Sequence, residues 1–292
     1  MDSSVAVRTP AKINLTLDIV GKRSDGYHFM KTVMQSVSIC DTVSVELTDK
    51  DGIEISCDDE NVPRDEKNIV HKAAAAFFEY TKLKPCGLDI SIEKNIPMQA
   101  GLAGGSANAA GVIVALDELF ETELSTHQLC EIGVKVGADV PFCIAGGTAL
   151  AEGIGEILTP LPAMPECSIV VAKGKEGIST AEAFKKYDGL IIEKHPDNDE
   201  MVVALAVGNI EKIGELCMNV LEEAADIPEI QMIKKTMLDC GALCAVMTGS
   251  GSAVYGIFPK KKHALACLDE LDRLADFAKL CTPIDSGVQI IK

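Results

Sequence analysis

The sequence predicts an α+β protein built in two parts, and three observations carry that prediction. Strand-like and helix-like segments are grouped rather than strictly alternating, which argues against a βαβ repeat throughout. Pro160, Pro162 and Pro165 cluster into the clearest boundary in the chain. Beyond them, two strands around a glycine turn, an amphipathic helix and a last strand fit a split β-α-β layer. A chain of 292 residues suits two domains, or one large one, and the prolines divide it into residues 1–162 and 163–292.

The elements follow in order. AKINLTLDIV (11–20) alternates, with Ile13, Leu15, Leu17 and Ile19 on one face and Lys12, Asn14, Thr16 and Asp18 on the other, as in a half-buried strand. DTVSVELT (41–48) and GIEISCD (52–58) repeat the pattern, and DKDG between them predicts a hairpin. NIVHKAAAAFFEYTKL (68–83) reads as a helix that Asn68 or Asp65 caps. GLDISIEKNIP is a strand ending at Pro97, and a glycine loop leads from it into a helix over 106–120. Ser125 caps a helical stretch that stops at Gly137. A short loop follows, then a hairpin turning at Gly153 and Gly155. After the prolines come the strand SIVVAK, helices over 204–225 and 228–240, and the closing strand–turn–strand, helix and strand. No internal repeat or low-complexity segment interrupts this order.

Composition narrows the function classes. Hydrophobic residues make up 47% and charged residues 24%, ordinary values for a globular protein. The formal charge of -17 repels nucleic acids and anionic membranes, although a local pocket can still bind a small anion. The 11 cysteines include no Cys-x-x-Cys pair, and many sit in apolar runs, as Cys143 and Cys167 do. They read as small buried hydrophobes in a reducing compartment. The N-terminus lacks an apolar signal core and no stretch spans a bilayer, so the expected location is cytoplasmic.

Four places carry candidate chemistry. The loop IPMQAGLAGGSANAA follows a strand and opens a helix, where free N–H groups and the helix dipole favour an anion. Ser106 adds a hydroxyl for a phosphate oxygen or a magnesium ion. The spacing is neither a Walker loop nor a dinucleotide fingerprint, so a mere packing turn is about equally compatible with it. Lys12 and Asn14 lie on the polar face of the first strand, where a lysine is often only a solubility device. Asp139, in GADVPF, stands among apolar neighbours and needs a partner there. Beside a lysine it would serve as a base for a hydroxyl. In SDGYHF, Tyr27, His28 and Phe29 concentrate aromatic rings in a chain with no Trp and 4 Tyr. Such rings stack on a nucleobase, or simply pack a turn on the core.

Taken together, PAKINLTLDIVGKRSDGYH, IPMQAGLAGGSANAA, GADVPF and MTGSGSAVYGIF resemble the successive signatures of the galactokinase–homoserine kinase–mevalonate kinase–phosphomevalonate kinase superfamily. DGYH close behind AKINL is most similar to the branch whose small alcohol substrate carries a diphosphocytidyl group. The resemblance is dense over 10–45 and 88–162 and thin over 175–238. It implies an N-terminal domain like domain 2 of ribosomal protein S5 and a ferredoxin-like C-terminal domain, with the active site between them. It implies ATP with Mg2+ as cofactors, and a monomer or weak homodimer with no nucleic-acid or membrane partner. It makes Asp139 the catalytic base and Lys12 its partner.

The same resemblance wraps the ATP phosphates in Pro97, Met98, Gln99, Ala100, Gly101, Leu102, Ala103, Gly104, Gly105, Ser106 and Ala107, with Asn68 and Lys94 as further nucleotide contacts. It assigns the substrate to Asn14, to Tyr27 and His28 at the cytosine, to Phe184 as a second stacking face with Thr180 near it, and to Gly249 and Gly251 at the phosphates. Many relatives carry a second serine where this chain has Ala107. Another small-alcohol kinase of the superfamily, or a non-catalytic nucleotide-binding protein on the same fold, stays as an alternative. An RNA-binding protein on the S5-like fold conflicts with the charge.

Overall fold

The structure, a computed structural model, describes residues 3–291. β1 (Ser4–Lys22) and β2 (His28–Thr48) form a long antiparallel ribbon. β3 (Ile53–Cys57), α1 (Ile69–Thr81), β4 (Gly87–Glu93), α2 (Gly104–Leu119), α3 (Thr126–Val136) and α4 (Val140–Ala145) follow. The hairpin of β5 (Thr148–Glu152) and β6 (Ile157–Pro160) precedes the prolines. Then come β7 (Ser168–Lys173), α5 (Thr180–Tyr187), α6 (Asn198–Ala206), α7 (Ile210–Leu216), β8 (Met218–Asn219) and a 3-10 turn at Val220–Ala224. α8 (Pro228–Asp239), β9 (Cys244–Met247), β10 (Val254–Phe258), α9 (Lys261–Leu271), β11 (Phe277–Cys281) and β12 (Gln289–Ile291) complete the chain. One sheet runs β12-β1-β2-β4-β3, with β5 and β6 branching from β2 and β8 beside β1; the second runs β11-β7-β10-β9.

Two expectations about the first strands change. DKDG does not make a hairpin, because β4 lies between β2 and β3 and pairs with both, parallel to β3. The α1 crossover returns the chain to that slot, and alternation alone cannot tell adjacent strands from separated ones. β1 is not half-buried either. Its polar residues Lys12, Asn14, Thr16 and Asp18 are buried too, and its apolar residues split between two cores. A bulge between Asn14 and Thr16 shifts the register. Ile13 and Leu15 belong to the core that includes α1 and α2, whereas Leu17 and Ile19 belong to the second core, between the second sheet and α8 and α9. One extra residue suffices to exchange the faces of a strand whose period is two.

Helix ends mostly follow their local signals. Asn68 caps α1 through Val70 N–H, and Ser125 caps α3 in a box completed by Gln128. The single helix expected over 204–225 is instead broken at Gly208, which has φ +68°, and restarts at the Asn209 cap of α7. α4 replaces the expected loop after Gly137, with Pro141 in its first turn, where the missing N–H costs nothing. α5 and β12 are additional elements. The tail leading to β12 buttresses α4: Val288 N–H donates to Cys143 O, and a Cβ on Gly146 would lie 1.8 Å from Gly287 N.

Candidate active site

Lys12 is the hub of the site. The residue is 4% exposed, and its ammonium donates to Asn14 Oδ1 at 2.6 Å and Gly101 O at 2.9 Å. Asn14 Nδ2 donates in turn to Thr32 Oγ1 at 2.8 Å, which fixes the amide so that its oxygen faces the lysine. Both polar ends of Asn14 are thereby engaged, so the residue supports Lys12 from within the protein. A lysine so held presents its remaining N–H to whatever anion enters beside it.

Two glycine turns meet over this ammonium. A Cβ on Gly101, at φ +72°, would lie 2.0 Å from Thr248 O, and one on Gly249, at φ +55°, would lie 3.1 Å from Lys12 Nζ. Ser252 and Ala253 N–H groups donate to Gln99 O and Ala100 O, tying the turn of residues 248–252 to the loop. Asn219 Nδ2 holds that turn through Met247 O and Gly249 O, both at 2.8 Å. Glycine is required at both positions by positive φ and by backbone-to-backbone contact. Gly251, at φ +86°, completes the turn.

The loop itself is built to leave N–H groups free. α2 starts at Gly104 behind Ala103, which has φ +58° and no capping side chain. The first N–H groups of the helix, at Gly104, Gly105 and Ser106, therefore face outward unsatisfied and with the positive end of the dipole. The Ser106 hydroxyl lies 4.0 Å from where a Gly137 Cβ would sit, two residues before Asp139. Pro97, Met98 and Gln99 form the outer wall, while Ala100 and Leu102 anchor in the core. Ala107 differs from the expectation for a phosphate contact: its side chain is fully buried and its N–H bonds Ala103 O.

Asp139 is the residue before α4, half-buried, and its carboxylate makes no capping bond. Among the described residues no ion pair joins it to Lys12, so the carboxylate and ammonium share a neighbourhood without neutralising each other. Both act on the Cys143 thiol, which burial first and the Asp139 charge second push upward, while Lys12 opposes them. Gly155 brings the turn after β5 against Asp139, whose Oδ1 lies 3.9 Å from the place of a Gly155 Cβ.

Two expected nucleotide contacts are committed elsewhere. Asn68 Oδ1 accepts from Val70 N–H and Nδ2 donates to Pro63 O, so its amide is spent on the start of α1. The Lys94 ammonium is buried against the Asp41 carboxylate and also reaches Asn108 Oδ1 at 3.2 Å. Asp41, fully buried, further accepts from Asn95 N–H, Ile96 N–H and Asn108 Nδ2 at 2.7–2.8 Å. This cluster braces the loop from below, and removing one partner of such a buried pair costs about 3–5 kcal/mol. The local sequence singles out none of Asp41, Asn108 and Asn219. Only Thr248, beside GSG, carried a local signal.

The aromatic turn lies at the far end of the ribbon. Tyr27 is 63% exposed. His28 is buried, stacks on Phe184 at 4.9 Å between centroids and places Nε2 2.7 Å from Asp188 Oδ1. His28 and Phe184 thus cover one face of each other's ring. Thr180, at the start of α5, has Oγ1 3.0 Å from Ser250 Oγ, so it belongs to the glycine-turn end of the site. No cluster of three or more His, Cys, Asp or Glu residues arranged for a metal occurs among the described residues.

Comparisons with known proteins give the family and the fold. The family described as "GHMP kinases N terminal domain" matches residues 68–147, and "GHMP kinases C terminal" matches residues 201–276. The chain is 45% identical over 263 residues to the 4-diphosphocytidyl-2-C-methyl-D-erythritol kinase of Caldicellulosiruptor saccharolyticus, covering 89% of this chain and 90% of the relative. It is 40% identical over 289 residues to that of Clostridioides difficile, covering 98% and 97%. A crystal structure of a 4-(cytidine 5'-diphospho)-2C-methyl-D-erythritol kinase superposes with a TM-score of 0.79 at 31% identity, over 95% of this chain and 98% of that one. A homoserine kinase from Cytophaga hutchinsonii shares the fold alone, at 20% identity and a TM-score of 0.74, over 100% of this chain and 98% of that one.

Proposed function

Because the chain belongs to the 4-diphosphocytidyl-2-C-methyl-D-erythritol kinases of the GHMP kinase family, we propose that it phosphorylates the 2-hydroxyl of that alcohol with ATP, a step of the non-mevalonate route to isoprenoids. It is an ATP-dependent phosphotransferase acting on an alcohol. The observation that carries the residue-level reading is the junction of the two glycine turns over the Lys12 ammonium, with the unpaired Asp139 carboxylate nearby.

Phosphoryl transfer asks the protein mainly for position and charge. ATP lies along the loop from Pro97 to Ser106, its phosphates on the α2 N-terminus. Tyr27 and His28 hold the cytidine end of the alcohol. Asp139 accepts the proton of the attacking hydroxyl, and Lys12 offsets charge on the transferring group. Magnesium, when bound with the nucleotide, neutralises β- and γ-phosphate oxygens. Ser106 Oγ would fit it, because this cation accepts one or two protein oxygens and fills its shell with water and phosphate. The same reading places the protein in the cytoplasm as a monomer or weak homodimer, with residues 1–162 for ATP and catalysis and 163–292 as the ferredoxin-like part. Eleven free cysteines support a reducing compartment.

ADP release measured with the diphosphocytidyl substrate, with the same alcohol lacking its cytidine group, and with homoserine and mevalonate tests the assignment. Turnover should require the cytidine group. Comparable turnover of homoserine or mevalonate would overturn it.

A further inference from the structure

We propose that Asp188 is a positioning residue for nucleobase choice: it orients His28 so that the ring offers a bare nitrogen to the exocyclic amine that distinguishes cytosine from uracil. The proposal rests on reading Tyr27 and His28 as the base-binding turn. Asp188 follows α5 directly, and its Oδ1 lies 2.7 Å from His28 Nε2. The Lys22 ammonium, and after it His28, hold the Asp188 carboxyl below its usual range, so it has no proton to give. Nε2 therefore carries the hydrogen and donates it. In the neutral ring Nδ1 is then the acceptor, and it has no hydrogen-bond partner among the described residues.

Cytosine presents an amine donor at its position 4, where uracil presents a carbonyl acceptor. A fixed acceptor rewards the first and opposes the second. The ring is also held mechanically. Phe184 stacks on its face, and Tyr187 meets its edge at 6.4 Å. Both come from α5, so the docking of one helix sets the rotamer and Asp188 sets the tautomer. Without the carboxylate the imidazole is free to carry its hydrogen on either nitrogen, and the choice between the bases is lost.

A purely structural role would make Asp188 a clasp for α5 through Lys22, whose Nζ lies 2.5 Å from Oδ2. That pair is exposed, and such pairs contribute little. The two roles separate in one assay. CDP and UDP are used as competitive inhibitors against the diphosphocytidyl substrate at pH 8, in the unsubstituted enzyme, Asp188→Ala and Lys22→Met. The unsubstituted enzyme should prefer CDP by at least about tenfold, the scale of one well-placed base-edge hydrogen bond. Asp188→Ala should bring the ratio to within about threefold of unity while the KM for ATP stays within about twofold. Lys22→Met should keep the full ratio.

Retention of the preference in Asp188→Ala, or its equal loss in Lys22→Met, overturns the proposal. Equal inhibition of the unsubstituted enzyme by CDP and UDP instead overturns the cytosine-site reading itself. Imidazole nitrogen-15 shifts of His28 at pH 8 give a reading that needs no substitution at Asp188. A hydrogen on Nε2 is expected, and one on Nδ1 would sink the idea.

Discussion

In the proposed mechanism Asp139 and Lys12 can serve as a base and a charge because neither is consumed by the other. Lys12 is satisfied by Asn14 and Gly101 O, and Asp139 keeps its lone pairs for a hydroxyl proton. Asp139→Asn should lower kcat by about a thousandfold or more, with the KM for ATP within about twofold, because only the proton acceptor is lost. Steady-state kinetics check this, and near-normal turnover would remove Asp139 from the chemistry. Lys12→Met should lower kcat by a comparable factor and leave Asn14 Oδ1 with a weaker partner. Asn68 and Lys94 show the limit of reading residues singly. Their types suit nucleotide contact, but a cap and a buried carboxylate claim both side chains, and the carboxylate lies 53 residues away from Lys94 in sequence.

At the scale of elements, the glycine loop is set as much by the turn of residues 248–252 as by its own sequence. Gly101 has no room for a Cβ and sits at positive φ, whereas a Cβ on Gly105 would make only an ordinary 3.6 Å contact with Ile69. Gly101→Ala should therefore lose about 1–3 kcal/mol of stability and raise the KM for ATP, as the two turns are forced apart. Gly105→Ala should keep or gain up to about 1 kcal/mol, since Gly is a poor helix former, while still raising the KM for ATP by crowding the phosphates. Thermal melts paired with kinetics separate the two cases. Equal stability loss in both would show that the loop is not braced by the second turn. Local signals such as the Asn68 and Ser125 caps and the Gly153–Gly155 hairpin were legible in sequence. The β1 bulge was not, because it depends on what the segment packs against.

The whole molecule carries six of its eleven cysteines as buried thiols and the other five partly buried. Burial pushes Cys130 up to about 11 and Cys167 and Cys267 to about 12, and raises Cys143 and Cys281 further. In the unfolded chain these groups release protons near 9.0. Between that value and the folded ones, the unfolded state binds fewer protons, so stability falls as pH rises. The contribution is complete below about pH 8 and declines by up to about 1.4 kcal/mol per pH unit for each fully buried thiol. Tyr255, buried and shifted upward, acts with the same sign. Melting temperature should fall steeply from pH 9 to 10.5; a flat profile would mean that the thiols are accessible in the folded state.

By itself the sequence determined the α+β class, the place of the glycine loop between a strand and a helix, the order of the chemical segments and the caps that start α1 and α3. These depend on period, glycine placement and hydrogen bonds within a few residues, all of which are local. Only the tertiary structure decided that the two glycine turns interlock over Lys12 and that Asp41 takes Lys94. It likewise decided that β4 separates β2 from β3, and that His28 is held by α5. Each of these joins residues far apart in the chain, and which distant partner a buried polar group finds is fixed by packing rather than by its neighbours in sequence.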